Sequence, residues 1–150
     1  MHSAVALMVL SLASAVTPSA SVQGSVEVVQ HGSSLDCVGV WLIPRSPETD
    51  AAIKQQFGKL DQGVRITLTP IVSQVRHDPP LGSRRSRCRG RFSEKFKFSD
   101  VPPGEYFLTT TAVPKRRYED EKFRLKTIEM MQRVSVAPAR SFTADFKHND

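Results

Sequence analysis

The sequence predicts an all-β protein, about seven strands in a small sandwich with one short helix. Three observations carry this. Apolar side chains recur at every second position through most of the chain, the spacing that sends neighbours to opposite faces of a strand. Proline and glycine cut these runs short, as at Pro102-Pro103-Gly104. Only the stretch after Ser46 combines helix start and stop signals with helical spacing.

In chain order, Val22, Gly24, Val26 and Val28 share one face of a first strand. Val38, Val40 and Leu42 share a face of the next, with Trp41 and Ile43 opposite, and two apolar faces predict a central strand. Ser46 is a good N-cap, Pro47 fits the first helical position, and Gly58 supplies the terminating glycine. Ile53 and Phe57 lie four apart on one helix face, which predicts a flap over one end of the sandwich. Val64, Ile66 and Leu68 alternate with Arg65, Thr67 and Thr69. Pro70 cannot donate to a ladder, so it belongs at an edge, bulge or strand end, with Ile71 to Arg76 continuing beyond it. Phe92, Phe96 and Phe98 alternate with Ser93, Lys95 and Lys97. Tyr106 to Val113 is rich in aromatic and β-branched residues. Ile128, Met130, Val134 and Val136 share a face interrupted by Gln132, and Met130 and Met131 read as strand residues, one in and one out, rather than as a ligand site. Phe142, Ala144 and Phe146 alternate with polar residues in the last strand. His77 to Arg91 and Pro114 to Lys126 read as long loops.

Ala4 to Leu12 is apolar apart from Ser11, too short for the roughly 20 residues that span a bilayer. Ala13-Ser14-Ala15 and Pro18-Ser19-Ala20 follow as small-residue cleavage patterns. This predicts a signal peptide over 1–20, cleaved after Ala15 or Ala20, and a single domain over 21–150 that is periplasmic or secreted, with no membrane span in the mature chain. A buried strand or short core helix is the alternative for the apolar run. In an exported chain Cys37 and Cys88 predict one disulfide, formed where two strands start at the same end of the sandwich; in a reducing cytosol they would be two thiols. The 39% hydrophobic content argues against disorder, and the net charge of +6 favours anionic partners.

Two segments carry a family resemblance. Phe96-Lys97-Phe98-Ser99-Asp100-Val101-Pro102-Pro103-Gly104-Glu105-Tyr106-Phe107-Leu108 resembles the signature turn of carboxypeptidase-regulatory-like domains, which are transthyretin-like (prealbumin-like) β-sandwiches. Pro103 presets φ for the second position of a type II turn, Gly104 supplies positive φ at the third, and Tyr106 and Leu108 then point into the core. Cys37 to Pro47 is similar to a strand-Pro-Thr-Pro-helix pattern in exported bacterial proteins that carry this domain. The resemblance covers Val22 to Phe146 and implies the fold, not a function. One enzymatic relative hydrolyses 5-hydroxyisourate with paired histidines, an arginine and a C-terminal Tyr-Arg-Gly-Ser. This chain ends Lys147-His148-Asn149-Asp150, so that activity is not carried over.

No catalytic, metal or cofactor pattern emerges. His31, His77 and His148 lack metal-ligand spacing and read as solvated loop or tail residues. Nucleophile-elbow and phosphate-loop motifs are absent. Glu119-Asp120-Glu121 reads as a charged loop, and Trp41 as a core residue rather than a sugar-stacking platform. The unusual segment is Arg84 to Arg91, with Arg84, Arg85, Arg87, Arg89 and Arg91 and no acid. It is either a solubilising loop or a contact for an anionic surface such as lipopolysaccharide phosphate, an acidic glycan or an acidic protein. The expectation is an exported, non-catalytic structural or interaction module of the cell envelope, with an unidentified protein or anionic envelope component as partner. The alternative is a polyanion- or glycan-binding module working through those arginines. Export and the lack of basic-aromatic interleaving argue against nucleic acid.

Overall fold

The computed structural model describes residues 20–67, 83–89, 94–114 and 126–149. The expected leader lies outside them except for Ala20, as do Arg91, Phe92, His77, the strand continuation at 68–76 and the acidic run at 119–121. The elements are β1 (Ala20–Gln30), β2 (Ser33–Pro44), α1 (Pro47–Phe57), β3 (Gln62–Thr67), β4 (Arg84–Ser86), β5 (Glu94–Val101), β6 (Gly104–Pro114), β7 (Thr127–Val136), β8 (Ser141–Thr143) and β9 (Phe146–Asn149). The protein is all-β with one short helix, as expected. The described residues form nine strands rather than seven, because the last segment splits in two and the arginine run contributes β4.

The strands pair in the order β3-β7-β6-β2-β1-β5, and the sheet curls into two leaves. The curl comes from the β1–β2 hairpin, whose ladder is confined to Val29↔Ser34 and Gln30↔Ser33. Beyond that the two strands part. β2 runs with β6 and β7, while β1 pairs with β5 and, in parallel, with β8 and β9. Val22, Val26, Phe96, Phe98 and Phe146 from one leaf meet Val40, Leu42, Leu108 and Ile128 from the other in one buried cluster. Gly24 is required by a close approach, since a Cβ there would sit 1.6 Å from the Ala144 carbonyl oxygen.

Four local readings are corrected. The Val38-Val40-Leu42 face is broken by a bulge between Cys37 and Gly39. Leu35 and Cys37 point to the core before it, Val40 and Leu42 after it, and Val38 is left 41% exposed. Met130 and Met131 are both buried, on opposite faces: Met130 in the sandwich core, Met131 beneath α1. α1 begins and ends as its caps dictate. Ser46 accepts from Thr49 N–H in a reciprocal capping box, and Gly58 is left-handed at φ 74°. Its Ile53 packs with Ile43, Phe107 and Met131, so the helix covers the outer face of the β2-β6-β7 leaf instead of one end of the sandwich. At the turn before β6, Gly104 has positive φ as expected, but at 155° rather than the roughly +80° of a type II turn. Asp100, at φ 54°, is left-handed one residue before β5 ends at Val101. Tyr106 and Leu108 enter the core, and the Tyr106 hydroxyl donates to Pro102 O at 2.6 Å.

Candidate functional site

Where β1 leaves β2, the β2 edge at Val40–Leu42 is open, and β4 pairs with it: Val40↔Ser86, Trp41↔Arg85, Leu42↔Arg84. The chain then crosses to the other leaf. Ser86 Oγ accepts from Lys97 N–H at 3.2 Å, and Arg89 and Lys95 exchange backbone hydrogen bonds of 3.0 and 2.7 Å. Residues 84–89 thus strap the edge of β2 to the edge of β5. An arginine run has no apolar alternation to mark a strand; two unpaired sheet edges make this one. The expected loop is corrected here over Arg84–Ser86.

The first two arginines serve the strap itself. Arg84 lies 5.8 Å from the centre of the Phe98 ring and donates to Ser99 O at 2.8 Å and Asp100 O at 3.4 Å. Arg85 lies 5.4 Å from the Trp41 ring and donates to Val38 O at 2.9 Å, satisfying a carbonyl beside the bulge. Gly39 makes room, since a Cβ there would sit 2.9 Å from Arg85 Nε. Trp41 is half-buried beneath this guanidinium. Burial pushes the Tyr106 hydroxyl above its ordinary pKa, and the Arg84 charge pulls the other way.

Cys37 and Cys88 are joined, with Cα atoms 5.9 Å apart. Cys37 lies inside β2, not at its start, and the bond ties the strap to β2 just past Arg87. Glu94 accepts from Cys37 N–H at 2.5 Å. Cys37, Cys88 and Glu94 bring ligand-type atoms within 4.8 Å of one another, but the sulfurs bond each other, so the thiolates a metal would need are engaged.

Beyond the strap, the outward faces of β5, β1 and β8 form a polar floor. Lys97 lies opposite Gln23, which lies opposite Thr143; Lys95 lies opposite Ser25. Ser25 donates from its N–H and hydroxyl to Asp145 Oδ1 at 3.0 and 2.9 Å. Strap and floor enclose an open trough of about 910 Å³. Six of its described lining side chains are cationic, from Arg84, Arg85, Arg87, Arg89, Lys95 and Lys97, against one acid, Asp145. Arg87, Arg89, Lys95 and Lys97 are exposed. Among the described residues their side chains make no ion pair or hydrogen bond.

Of the predicted site residues, Arg84, Arg85, Arg87 and Arg89 come together here and Arg91 lies outside the described residues. Sequence reasoning missed Lys95 and Lys97. The Phe-Lys alternation marks them as an outward face, but their place beside the strap depends on pairing distant in sequence. His31 sits in the β1–β2 turn, and His148 is a half-buried residue of β9 opposite Val28, not a tail residue.

No protein-family model matches this chain, and no curated protein matches it. Among solved structures, it is similar to a Pseudomonas aeruginosa protein described as a "putative carbohydrate binding protein", with TM-score 0.59 and 15% sequence identity over 87% of this chain and 88% of that one. At that identity the likeness is one of fold.

Proposed function

We propose that this chain is an exported, non-catalytic binding module, periplasmic or secreted, whose ligand carries negative charge and docks in the trough. One observation carries the reading. Arg87, Arg89, Lys95 and Lys97 converge from two separate segments without an ionic partner among the described residues, and the one acid of the trough is held by Ser25. A loop that merely solubilises has no need of such convergence, and repulsion between like charges makes it costly without an anion.

Other observations support the reading. A disulfide fits export into an oxidising compartment, as does the apolar run with its small-residue cleavage patterns. No helix among the described residues is long and apolar enough to cross a membrane. The solved protein of similar fold is described as carbohydrate-binding, which points to glycans among the anions available. The family we propose remains the carboxypeptidase-regulatory-like one, on its turn residues.

Retention on a heparin column under a salt gradient tests this. Lys95→Glu with Lys97→Glu should elute at clearly lower salt than the parent. Lys54→Glu with Lys59→Glu makes the same net charge change on exposed positions of α1 and the segment after it, and should elute near the parent. Equal shifts in the two pairs would mean retention by overall charge, and the reading fails.

A further inference from the structure

The trough is not uniformly basic, and its layout narrows the ligand. Cations occupy one side, the strap and β5. Across β1 and β8 the cations give way to Gln23 and Thr143, exposed and, among the described residues, without side-chain hydrogen bonds, and to the one acid, Asp145, which accepts from Ser25. A bare phosphate polymer would use the first side alone. A sugar that carries an acid group would use both, its anion on the cations and its hydroxyls on the amide and hydroxyl of the floor.

The cations also come in repeats. Lys95 and Lys97 are two apart on one face of β5, which sets them roughly 7 Å apart along the strand. Arg87 and Arg89 are likewise two apart, flanking the Cys88 tether. One compact anion cannot reach every member of such a row, whereas a chain with an acid group on successive units can. Among the described residues the aromatic rings of the trough are not platforms. Phe96 and Phe98 are buried, and Trp41 nearby is covered by Arg85. That removes the stacking surface that single-stranded nucleic acid and many neutral sugars use.

We infer that the ligand is a linear acidic polysaccharide, lying along the trough with its carboxylates or sulfates toward Arg87, Arg89, Lys95 and Lys97 and its hydroxyls toward Gln23 and Thr143. This rests on the reading of the trough as an anion site and adds the class of ligand. Its arrangement requires length: an oligomer should bind far more tightly than its single sugar, because each added unit engages a further cation without a second loss of translational freedom.

Calorimetric titration with oligogalacturonate, galacturonate monomer, inorganic polyphosphate and a neutral glucan tests the inference. Oligogalacturonate should bind, at least about tenfold more tightly than the monomer, a 1.4 kcal/mol difference. Gln23→Ala with Thr143→Ala should weaken oligogalacturonate several-fold and leave polyphosphate unchanged, while Lys95→Glu with Lys97→Glu should abolish both. All four side chains are exposed, so these variants should fold. Polyphosphate binding as tightly as the oligosaccharide, or no loss in the Gln23/Thr143 variant, would overturn the inference while leaving the trough as an anion site; equal binding of the neutral glucan would overturn both. Oligogalacturonate binding untouched by the Lys95/Lys97 variant would overturn the trough reading itself.

Discussion

Two arginine-bearing corners of this molecule treat their charges in opposite ways. Beside α1, Arg45 makes a two-point contact with Asp50, at 2.9 and 2.6 Å, and lies 5.3 Å from the Phe107 ring. Arg133 and Glu105 stand 3.4 Å apart, and Ser135 donates to Glu105 at 2.5 Å. Cations and carboxylates match there. The hydrogen bond from Arg45 holds the Asp50 carboxyl below its ordinary pKa, and Ser135, then Arg133, do the same to Glu105. In the trough the match is missing, with six cations lining it against one acid. The denser arginine run marks one corner in sequence, but density alone does not say what each guanidinium is for. The partner of each guanidinium does: Arg45 and Arg133 meet carboxylates of the fold, whereas Arg87 and Arg89 have no ionic partner among the described residues.

The comparison breaks first if the α1 corner is not structural. Phe107 is fully buried and joins Ile43, Ile53 and Met131 under the helix. Phe107→Ala should cost about 3–5 kcal/mol, the range for a large buried aromatic, as read by denaturant melts. A loss under about 1 kcal/mol would mean that the helix contributes little by packing there.

The next effect belongs to the tether. The Cys37–Cys88 bond joins residues 51 apart in sequence. Closing a loop of that size removes entropy from the unfolded chain worth up to about 4 kcal/mol. Cys37→Ser with Cys88→Ser should destabilise by about 2–4 kcal/mol, and thiol titration of the denatured, unreduced parent should find no free thiol. Two reactive thiols per chain would remove the tether from the account.

A finer test lies inside the arginine run. Arg84 and Arg85 donate to carbonyls and cover aromatic rings, so changing both to Ser should cost about 1–2 kcal/mol. Arg87→Ser with Arg89→Ser should stay within about 0.5 kcal/mol while weakening anion retention. If the two pairs behave identically in thermal melts, the division of the run into structural and ligand-facing members is wrong.

That division also shows where the sequence stops informing. Period-two alternation placed β1, β5 and β7, aromatic and β-branched content placed β6, which is buried on both faces, and Ser46, Pro47 and Gly58 bounded α1 because capping is local. The bulge at Val38 escaped, since one inserted residue shifts every later side chain without changing the composition. The strand character of Arg84–Ser86 escaped for another reason: nothing in the run favours a strand until two sheet edges bracket it. Lys95 and Lys97 looked like an ordinary solvent face, and only pairing with Gln23 and Ser25 beside the strap places them in the trough.

The smallest expected effect concerns pH, and it sharpens the matched corner. A carboxyl whose folded pKa is depressed adds stability above its unfolded pKa, near 4, and loses it as pH falls through the lower folded value. Asp50 is such a group, because Arg45 stabilises its charged form, and Glu105 acts in the same direction. The Arg45–Asp50 pair is partly solvated, with side chains 20% and 29% exposed, so its contribution is small. Asp50→Asn removes the titrating group but keeps the side-chain shape. The variant should melt slightly lower than the parent at pH 7, and the gap should close as pH drops below about 4, since the parent's carboxyl is then protonated and its advantage lost. Melting temperatures from pH 2 to 7 measure this. A constant gap, with parallel acid limbs in parent and variant, would show that the Arg45–Asp50 pair does not form in solution, and the matched corner would then rest on Phe107 and the helix caps alone.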